Sequence, residues 1–456
     1  MTDRPRAVRT RFAPSPSGDL HVGNIRTALY AWAHARHTGG KFVFRIEDTD
    51  RSRVTPASIR SAIETLRWLG LDWNEGVEVG GPHGPYLQSE RLDLYREWAD
   101  RLLAERAAYL CYCTPEELEA EREEQRAKGR QPGYSGRCRD LTSQQIAAFE
   151  REDRKPVVRF RMPEGRTVVH DTIRGEVVWD NAHIPDFVIM RANGYPLYNL
   201  AVSVDDALME ITHIVRGDDL LSSTPKQIAL YRAMGIAEDA LPAFTHLPYV
   251  LGPDGKPLSK RYGSESISWY RDQGYLPEAV VNYLALLGWS PGDDREDLTL
   301  DELVELFDID RVGATAARLD PKKLDAINGD KIRRLSHDDF VARMLPFLPG
   351  EPDDLSENPS ATDRRALAEQ VAPLVQERIV RLADVAPMVE FLFADDEEFA
   401  VDPEVAAREL TEESRPVVEA ALEALRDVEP WEHADIEHAL RAALVDRLGR
   451  KPRRAF

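Results

Sequence analysis

Strand-like and helix-like hydrophobic spacing alternate along the first part of the chain. Residues 8–12 (VRTRF) form a short β-prone run, followed by the Pro/Ser/Gly-rich loop APSPSGDLHVG. From 22 to 37 apolar residues return at helical spacing, with Ile25, Leu29 and Trp32 on one face. Gly39-Gly40 ends that helix, as glycine does just past a helix C-terminus. KFVFRI, 41–46, reads as a second strand. Thr55 and Pro56 then supply an N-cap and a first-turn proline for a helix that carries Ile59, Ile63 and Leu66 and stops at Gly70. Strand, helix, strand, helix in this order predicts a parallel sheet with right-handed crossovers, an α/β fold.

The pattern changes between about 85 and 190. Helices rich in Glu and Arg over 89–106 and 115–128 lead into strand-prone stretches at 157–162, 168–171 and 176–179, which reads as an insertion. Residues 195–255 return to α/β character, with a strand at 211–215 ahead of RGDD. Beyond 335 the spacing is helical, with little strand signal and no fixed-period repeat.

With 456 residues the chain has room for roughly two to four domains. No apolar run approaches the length of a membrane span, and the arginine-studded N-terminus lacks the apolar core of a secretory signal, so the cytoplasm is the expected compartment. Three cysteines in so long a chain do not make a disulfide framework, but Cys111 and Cys113 lie one residue apart, which fits metal ligation or coincidence. The net charge of −21 argues at first against a nucleic-acid partner. Its distribution removes the objection: acidic runs at 116–124 and 395–398 are separate from basic clusters at 331–334 and at Arg450, Lys451, Arg453 and Arg454. Phosphate contacts need only a local basic surface.

Two segments carry candidate chemistry. In the first loop, Gly18 and Gly23 permit tight turning and close approach to a ligand, and the following helix N-terminus suits a phosphate. His21 stands ready to donate to a phosphoryl oxygen. A His-X-Gly tripeptide alone is more often an ordinary connection with a solvated histidine. The second segment, GPDGKPLSKRYG at 252–263, joins a turn signal to Lys256, Lys260 and Arg261, cations of the kind that clamp a transferring phosphoryl group. Alone it too is more often a solvated basic turn.

As a pair the segments mean more. RFAPSPSGDLHVG followed by PLSKR resembles the HIGH and KMSKS signatures of class I aminoacyl-tRNA synthetases. TRFAPSPSGDLHVGNIRTAL, FRIEDTDRSR, GPYLQSERLDLY, GYPLYNLAVSVDD, ITHIVRGDDLLSSTPKQ and VVNYLALLGWSPGD are similar, in this order, to the bacterial glutamyl-tRNA synthetase family. The likeness is dense from residue 9 to about 335 and looser beyond. Two departures stand out. Asn24 replaces the second histidine of HIGH, and Pro257 replaces the first lysine of KMSKS, with Lys256 one residue earlier.

The resemblance implies a class I synthetase Rossmann-like catalytic domain over 1–85 and 191–255, with an inserted α+β acceptor-binding domain at 86–190. It further implies a stem-contact region with the KMSKS-like loop at 256–335 and an all-α anticodon-binding region at 336–456. It implies a ligase that activates glutamate with ATP to glutamyl-adenylate and transfers it to the 3′ end of tRNA(Glu). His21, Gly23, Asp219 and Lys260 would hold ATP with its Mg²⁺, and His21, Lys260 and Arg261 would stabilise the reacting phosphorus. A carboxylate is already nucleophilic, so positioning and charge stabilisation carry the step. Arg11, Ser15, Glu47, Tyr198 and Arg216 match the glutamate pocket, with Arg216 on the side-chain carboxylate and Glu47 on the α-ammonium. Plainer alternatives are an ion pair of Arg216 with Asp218 or Asp219, and of Glu47 with Arg45 or Arg51.

Related synthetases with the CYC…C spacing bind structural zinc there, with a fourth ligand two residues after the last cysteine. This chain offers Cys111, Cys113, Cys138 and Asp140. Three reduced thiols without a metal is the competing reading, because closed zinc sites prefer sulfur and imidazole to carboxylate. Family members usually continue by another helix or two past the equivalent of GRKPRRAF, where this chain stops. The family analogy implies a monomer. The rivals are an enzyme that also charges tRNA(Gln), and a tRNA-independent nucleotidyltransferase on the same fold.

Overall fold

In the computed structural model, residues 6–16, 18–50, 54–256, 266–349, 359–393 and 400–451 are described. Strand β1 (Arg9–Phe12), helix α1 (Val22–His37), β2 (Lys41–Phe44), α2 (Pro56–Trp68) and β3 (Glu75–Gly76) follow in order. The strands form a parallel sheet β1-β2-β3, in which Arg9 pairs with Lys41 and Val43 with Glu75. Both helix starts are fixed by their own sequence. His21 and Asn24 exchange hydrogen bonds as a capping box on α1, and Thr55 does the same with Ser58 on α2, with Pro56 in its first turn.

Helix α1 departs from its expected single apolar face. Ile25, Leu29 and Trp32 are buried, but so are Arg26, Tyr30 and His34 on the remaining sides. The helix is packed between the strands and the helix Pro277–Ala285, and two of these side chains, Arg26 and Tyr30, find carbonyls. Tyr30 Oη donates to Ala285 O and Leu287 O at 3.0 and 2.9 Å, and Arg26 donates to Leu287 O at 3.2 Å and to Pro248 O. Carbonyls at the end of the helix Pro277–Ala285, which helical geometry leaves unpaired, are satisfied in this way.

Helix α3 (Leu92–Ala104) opens the inserted segment, followed by β4 (Ala108–Cys111), α4 (Pro115–Ala127), α5 (Ser143–Arg151) and β5 (Val157–Phe160). Next come the hairpin strands β6 (Arg166–Asp171) and β7 (Gly175–Asp180), and then β8 (Phe187–Met190). Strands β4, β5 and β8 make an antiparallel sheet. The hairpin does not join it. Strand β6 instead runs parallel to β10 (Ala243–Leu247) of the following α/β segment, so this part of the insertion extends the other sheet.

That segment contains α6 (Tyr198–Leu208), β9 (His213–Gly217) and α7 (Thr224–Ala233) ahead of β10. β9 and β10 are parallel, and Arg216 pairs with His246, which places both side chains on one face. β9 also lies beside β1, where Thr212 N–H donates to Arg9 O at 2.9 Å. One apolar core runs from the insertion into this segment, joining Tyr95, Leu102, Phe160 and Ile189 to Leu200, Val204 and Leu230.

Beyond 335 the described residues are helical, as the spacing predicts. The chain groups into two compact units, Met1–Leu348 with Pro352–Ala386, and Pro349–Glu351 with Pro387–Phe456. Within the first unit, Gln376 donates to Ile332 O and Leu335 O and Arg381 pairs with Asp325. The second unit contains the helices Arg415–Leu425 and His433–Leu440 and the π-helical stretch Arg441–Arg447, around Ala420, Ala443 and Leu444. No helix among the described residues is long and apolar enough to cross a membrane.

One glycine sets the end of the first sheet. Gly76 has φ 144°, and a Cβ there would lie 2.2 Å from Phe44 O on the neighbouring strand. Gly76→Ala should destabilise the fold by about 2 kcal/mol or more. A melting temperature equal to the parent's would refute this.

Candidate active site

The carboxyl ends of the parallel strands open into a cleft of about 570 Å³. Arg11 and Phe12 enter it from β1, Val215 and Arg216 from β9, and Leu247 from β10. The loop to α1 adds Ser15, His21 and Gly23, and Glu47, Tyr198 and Asp219 complete the wall. The structure thus brings together all the predicted glutamate residues and the ATP residues His21, Gly23 and Asp219. Lys260, Arg261 and Pro257 lie outside the described residues.

The C-terminal flank of that basic segment meets the histidine loop. Asp19 accepts hydrogen bonds from Ser61 at 2.7 Å, Ser268 at 2.8 Å and Ser266 at 3.2 Å, which hold its carboxyl below the usual range. Ile267 N–H donates to Leu20 O at 3.0 Å. Residues just after the basic segment are therefore in contact with the histidine loop itself.

His21 Nδ1 accepts the Asn24 backbone N–H at 3.2 Å, and Asn24 Oδ1 accepts the His21 N–H at 3.2 Å. With Nδ1 used as an acceptor, the ring proton of the neutral imidazole sits on Nε2. Asn24, the departure from HIGH, thus orients His21 by closing the cap. Gly23 leaves room for the ring, since a Cβ there would stand 3.2 Å from the His21 ring atoms Cε1 and Nδ1.

Beneath the cleft lies a buried ion network. Arg45, fully buried, donates to Asp206 at 2.9 Å and Glu47 at 3.1 Å and lies 3.5 Å from Asp205. Arg11 reaches both oxygens of Asp206 at 3.3 Å. Asp205 also accepts from Arg91 at 2.7 Å, Gln88 at 2.8 Å and Tyr95. Burial works against the charge of Asp206, but Arg11 and Arg45 outweigh it and hold its pKa below the ordinary value. For Glu47 burial wins over Arg45 and Arg11, and its pKa is pushed up to about 7. The alternative expectation that Glu47 pairs with Arg45 is therefore met, and its other side lines the cleft. Asp205 and Asp206, which hold Arg45 and Arg11 from behind, were not singled out from the sequence, although both lie in the string AVSVDD.

Arg216 is different. It is buried and makes no ion pair among the described residues; its Nε donates to His246 Nε2 at 2.9 Å, one terminal nitrogen to Gln227 at 2.7 Å and the other to Thr224 at 2.8 Å. The alternative of a pair with Asp218 is not what forms, because Asp218 is held by Arg174 at 2.7 Å. Burial lowers the Arg216 pKa below its ordinary value, yet a guanidinium stays charged. A buried, uncompensated cation at a cleft wall is costly unless an anion completes it.

Cys111, Cys113 and Cys138 bring their sulfurs within 4.8 Å of one another, with Cys113 and Cys138 3.5 Å apart. Hydrogen bonds from Cys113 and then Cys138 favour the thiolate at Cys111. The expected fourth ligand is not there. Asp140 is 81% exposed at its side chain and pairs with Arg161 at 3.1 Å. The oxygen at hand is Tyr134 Oη, 3.5 Å from the Cys111 sulfur, with the Arg159 guanidinium 3.7 Å from the centre of its ring.

A parallel sheet whose first loop delivers a capped helix N-terminus to the carboxyl ends of the strands defines a nucleotide-binding α/β enzyme fold. Residues 7–326 match the family described as tRNA synthetases class I (E and Q), catalytic domain, and residues 339–455 match the anticodon binding domain. The chain belongs to the class I tRNA synthetases of the E and Q group. It is 51% identical to a glutamate–tRNA ligase of a Nocardioides species, over 100% of this chain and 92% of that one. Identity to the glutamate–tRNA ligase of Saccharopolyspora erythraea is 52%, over 99% and 89%. Among solved structures, a glutamate tRNA ligase from Elizabethkingia meningosepticum in complex with its amino acid aligns with a TM-score of 0.81 at 32% identity, over 98% and 91%.

The raised pKa of Glu47 has a signed consequence. Its folded value of about 7 lies above the ordinary 4.5, so its contribution to stability is full below about pH 4.5 and lost as pH rises through about 7. Glu47→Gln should not follow that loss. The melting temperature of the variant minus that of the parent should rise between about pH 5 and pH 8. A difference independent of pH would contradict the burial argument.

Proposed function

We propose that the chain is a glutamate–tRNA ligase, which activates glutamate with ATP and passes the glutamyl group to the 3′-terminal ribose of tRNA(Glu). The observation that carries the glutamate half is Arg216, a buried guanidinium held by neutral partners at the wall of the cleft. A side-chain carboxylate of the substrate supplies the missing charge, whereas a glutamine amide would leave the cation uncompensated. Glu47 takes the α-ammonium, which favours its ionised form, and Arg11, Ser15 and Tyr198 complete the pocket. His21 presents Nε2–H to the phosphates, beside Gly23 and Asp219. Lys260 and Arg261 are assigned from their motif to the charge that develops at the α-phosphorus. Class I synthetases use ATP, typically with Mg²⁺, which bridges phosphate oxygens and neutralises charge. The cytoplasm is the compartment in which this reaction belongs.

The three cysteines are proposed to hold a structural zinc. Their spacing in space suits a tetrahedral thiolate set, and Tyr134 Oη is better placed than Asp140 as the oxygen donor. Such a site would tie β4 to the loop before α5 and stabilise the insertion.

The enzyme reading is tested by charging purified tRNA(Glu) and tRNA(Gln) with labelled glutamate. Product on tRNA(Glu) is expected; none on either tRNA would sink the proposal, and equal product on both would establish the relaxed enzyme. Metal analysis of the purified chain should find about one zinc per molecule, lost in Cys113→Ser with a lowered melting temperature. A metal-free parent of unchanged stability would argue for three plain thiols.

A further inference from the structure

Arg216 is held from behind by a buried relay that has no part in the ligand contacts assigned above. His246 Nδ1 lies 2.6 Å from Asp171 Oδ2, and the same oxygen accepts the His246 backbone N–H at 3.1 Å. The other oxygen of Asp171 accepts the backbone N–H groups of Ile173 and Arg174 at 3.0 and 2.9 Å. Against its burial, the His246 side chain first and then the Arg174 and Ile173 backbone donors hold Asp171 below the ordinary carboxyl range. An ionised carboxylate only accepts, so the imidazole proton is on Nδ1. On its far side His246 Nε2 faces Arg216 Nε–H at 2.9 Å, a donor that never gives up its proton. Nε2 must therefore present a lone pair. His246 is neutral, in the Nδ1–H form, and burial favours that state.

We infer that His246, oriented by Asp171, is a positioning residue that sets the angle of the Arg216 guanidinium and so the enzyme's affinity for the substrate's side-chain carboxylate. This rests on the glutamate reading of Arg216. With Nε engaged by His246, and one N–H on each terminal nitrogen taken by Gln227 and Thr224, one N–H on each terminal nitrogen remains for the ligand. A carboxylate can use that pair only if the plane of the guanidinium is fixed. The relay reaches Arg216 through strand register. Arg216 and His246 are paired on adjacent parallel strands, and Asp171 sits at the end of the hairpin strand that flanks them. An imidazole in the other tautomer, or a protonated one, would set N–H against N–H and release Arg216.

Two amide replacements separate acceptor from bulk. Glutamine can place its oxygen near the position of Nε2, whereas asparagine reaches only that of Nδ1. In tRNA charging assays His246→Asn should raise the KM for glutamate about tenfold or more, with kcat and the KM for ATP close to the parent's. His246→Gln should restore the glutamate KM to within about threefold of the parent. Arg216→Gln, measured alongside, should lose glutamate affinity more severely than either. The inference is overturned if His246→Gln is as impaired as His246→Asn, or if His246→Asn raises both KM values alike. A normal glutamate KM in His246→Asn beside a defective Arg216→Gln would overturn the positioning role alone. A normal glutamate KM in Arg216→Gln would overturn the underlying assignment of Arg216, and this inference with it.

Discussion

Arg45 is the residue on which the arrangement of the cleft depends. Its guanidinium is fully buried, and its charge is shared among Glu47, just past β2, and Asp205 and Asp206 on α6. Removing one partner from such a buried set costs about 3–5 kcal/mol, because the remaining charges lose compensation in a low-dielectric setting. The adjacent carboxylates divide the work. Asp206 is held by Arg11 and Arg45, while Asp205 is gripped by Arg91, Gln88 and Tyr95 at and beside α3. One dipeptide thus fastens the inserted segment to the floor of the substrate pocket.

Against that neutralised floor, the two less usual charges gain meaning. Glu47 is buried deeply enough that its proton is held near neutrality, and Arg216 keeps a full charge with only uncharged acceptors around it. An acid and a base left partly unsatisfied across one cleft suit a zwitterionic ligand with an additional carboxylate. A structural protein would gain nothing from leaving them so.

Local signals were legible in the sequence. Helix α1 runs over the residues its spacing indicates, and the Thr55-Pro56 start of α2 forms as read, because capping and glycine termination act within a few residues. Among the described residues, the site residues carried by the motif strings, such as Arg11, His21, Glu47 and Arg216, also meet in one cleft. What escaped depends on distant pairing. That Arg216 stands beside His246, thirty residues on, follows from strand register. That the hairpin at Arg166–Asp180 leaves its own insertion for the other sheet follows from how the two parts pack. The fourth position at the cysteine cluster misled for a related reason. Two residues after Cys138 the chain has already turned outward, and Tyr134, four residues before it, turns in.

The burial of α1 has a consequence for how the molecule is made. Arg26 and Tyr30 are satisfied by carbonyls of Pro248, Ala285 and Leu287, more than two hundred residues later in the chain. While the polypeptide emerges from the ribosome, the helix that will present His21 has no cover for those polar groups. Its final seating must wait until most of the catalytic segment has been synthesised, which makes this a late-closing, high-contact-order core. Without residues 248–287 the apolar side chains that α1 buries, Ile25 and Leu29 among them, would lack part of their cover, so the loop that carries His21 is not seated by the N-terminal segment alone.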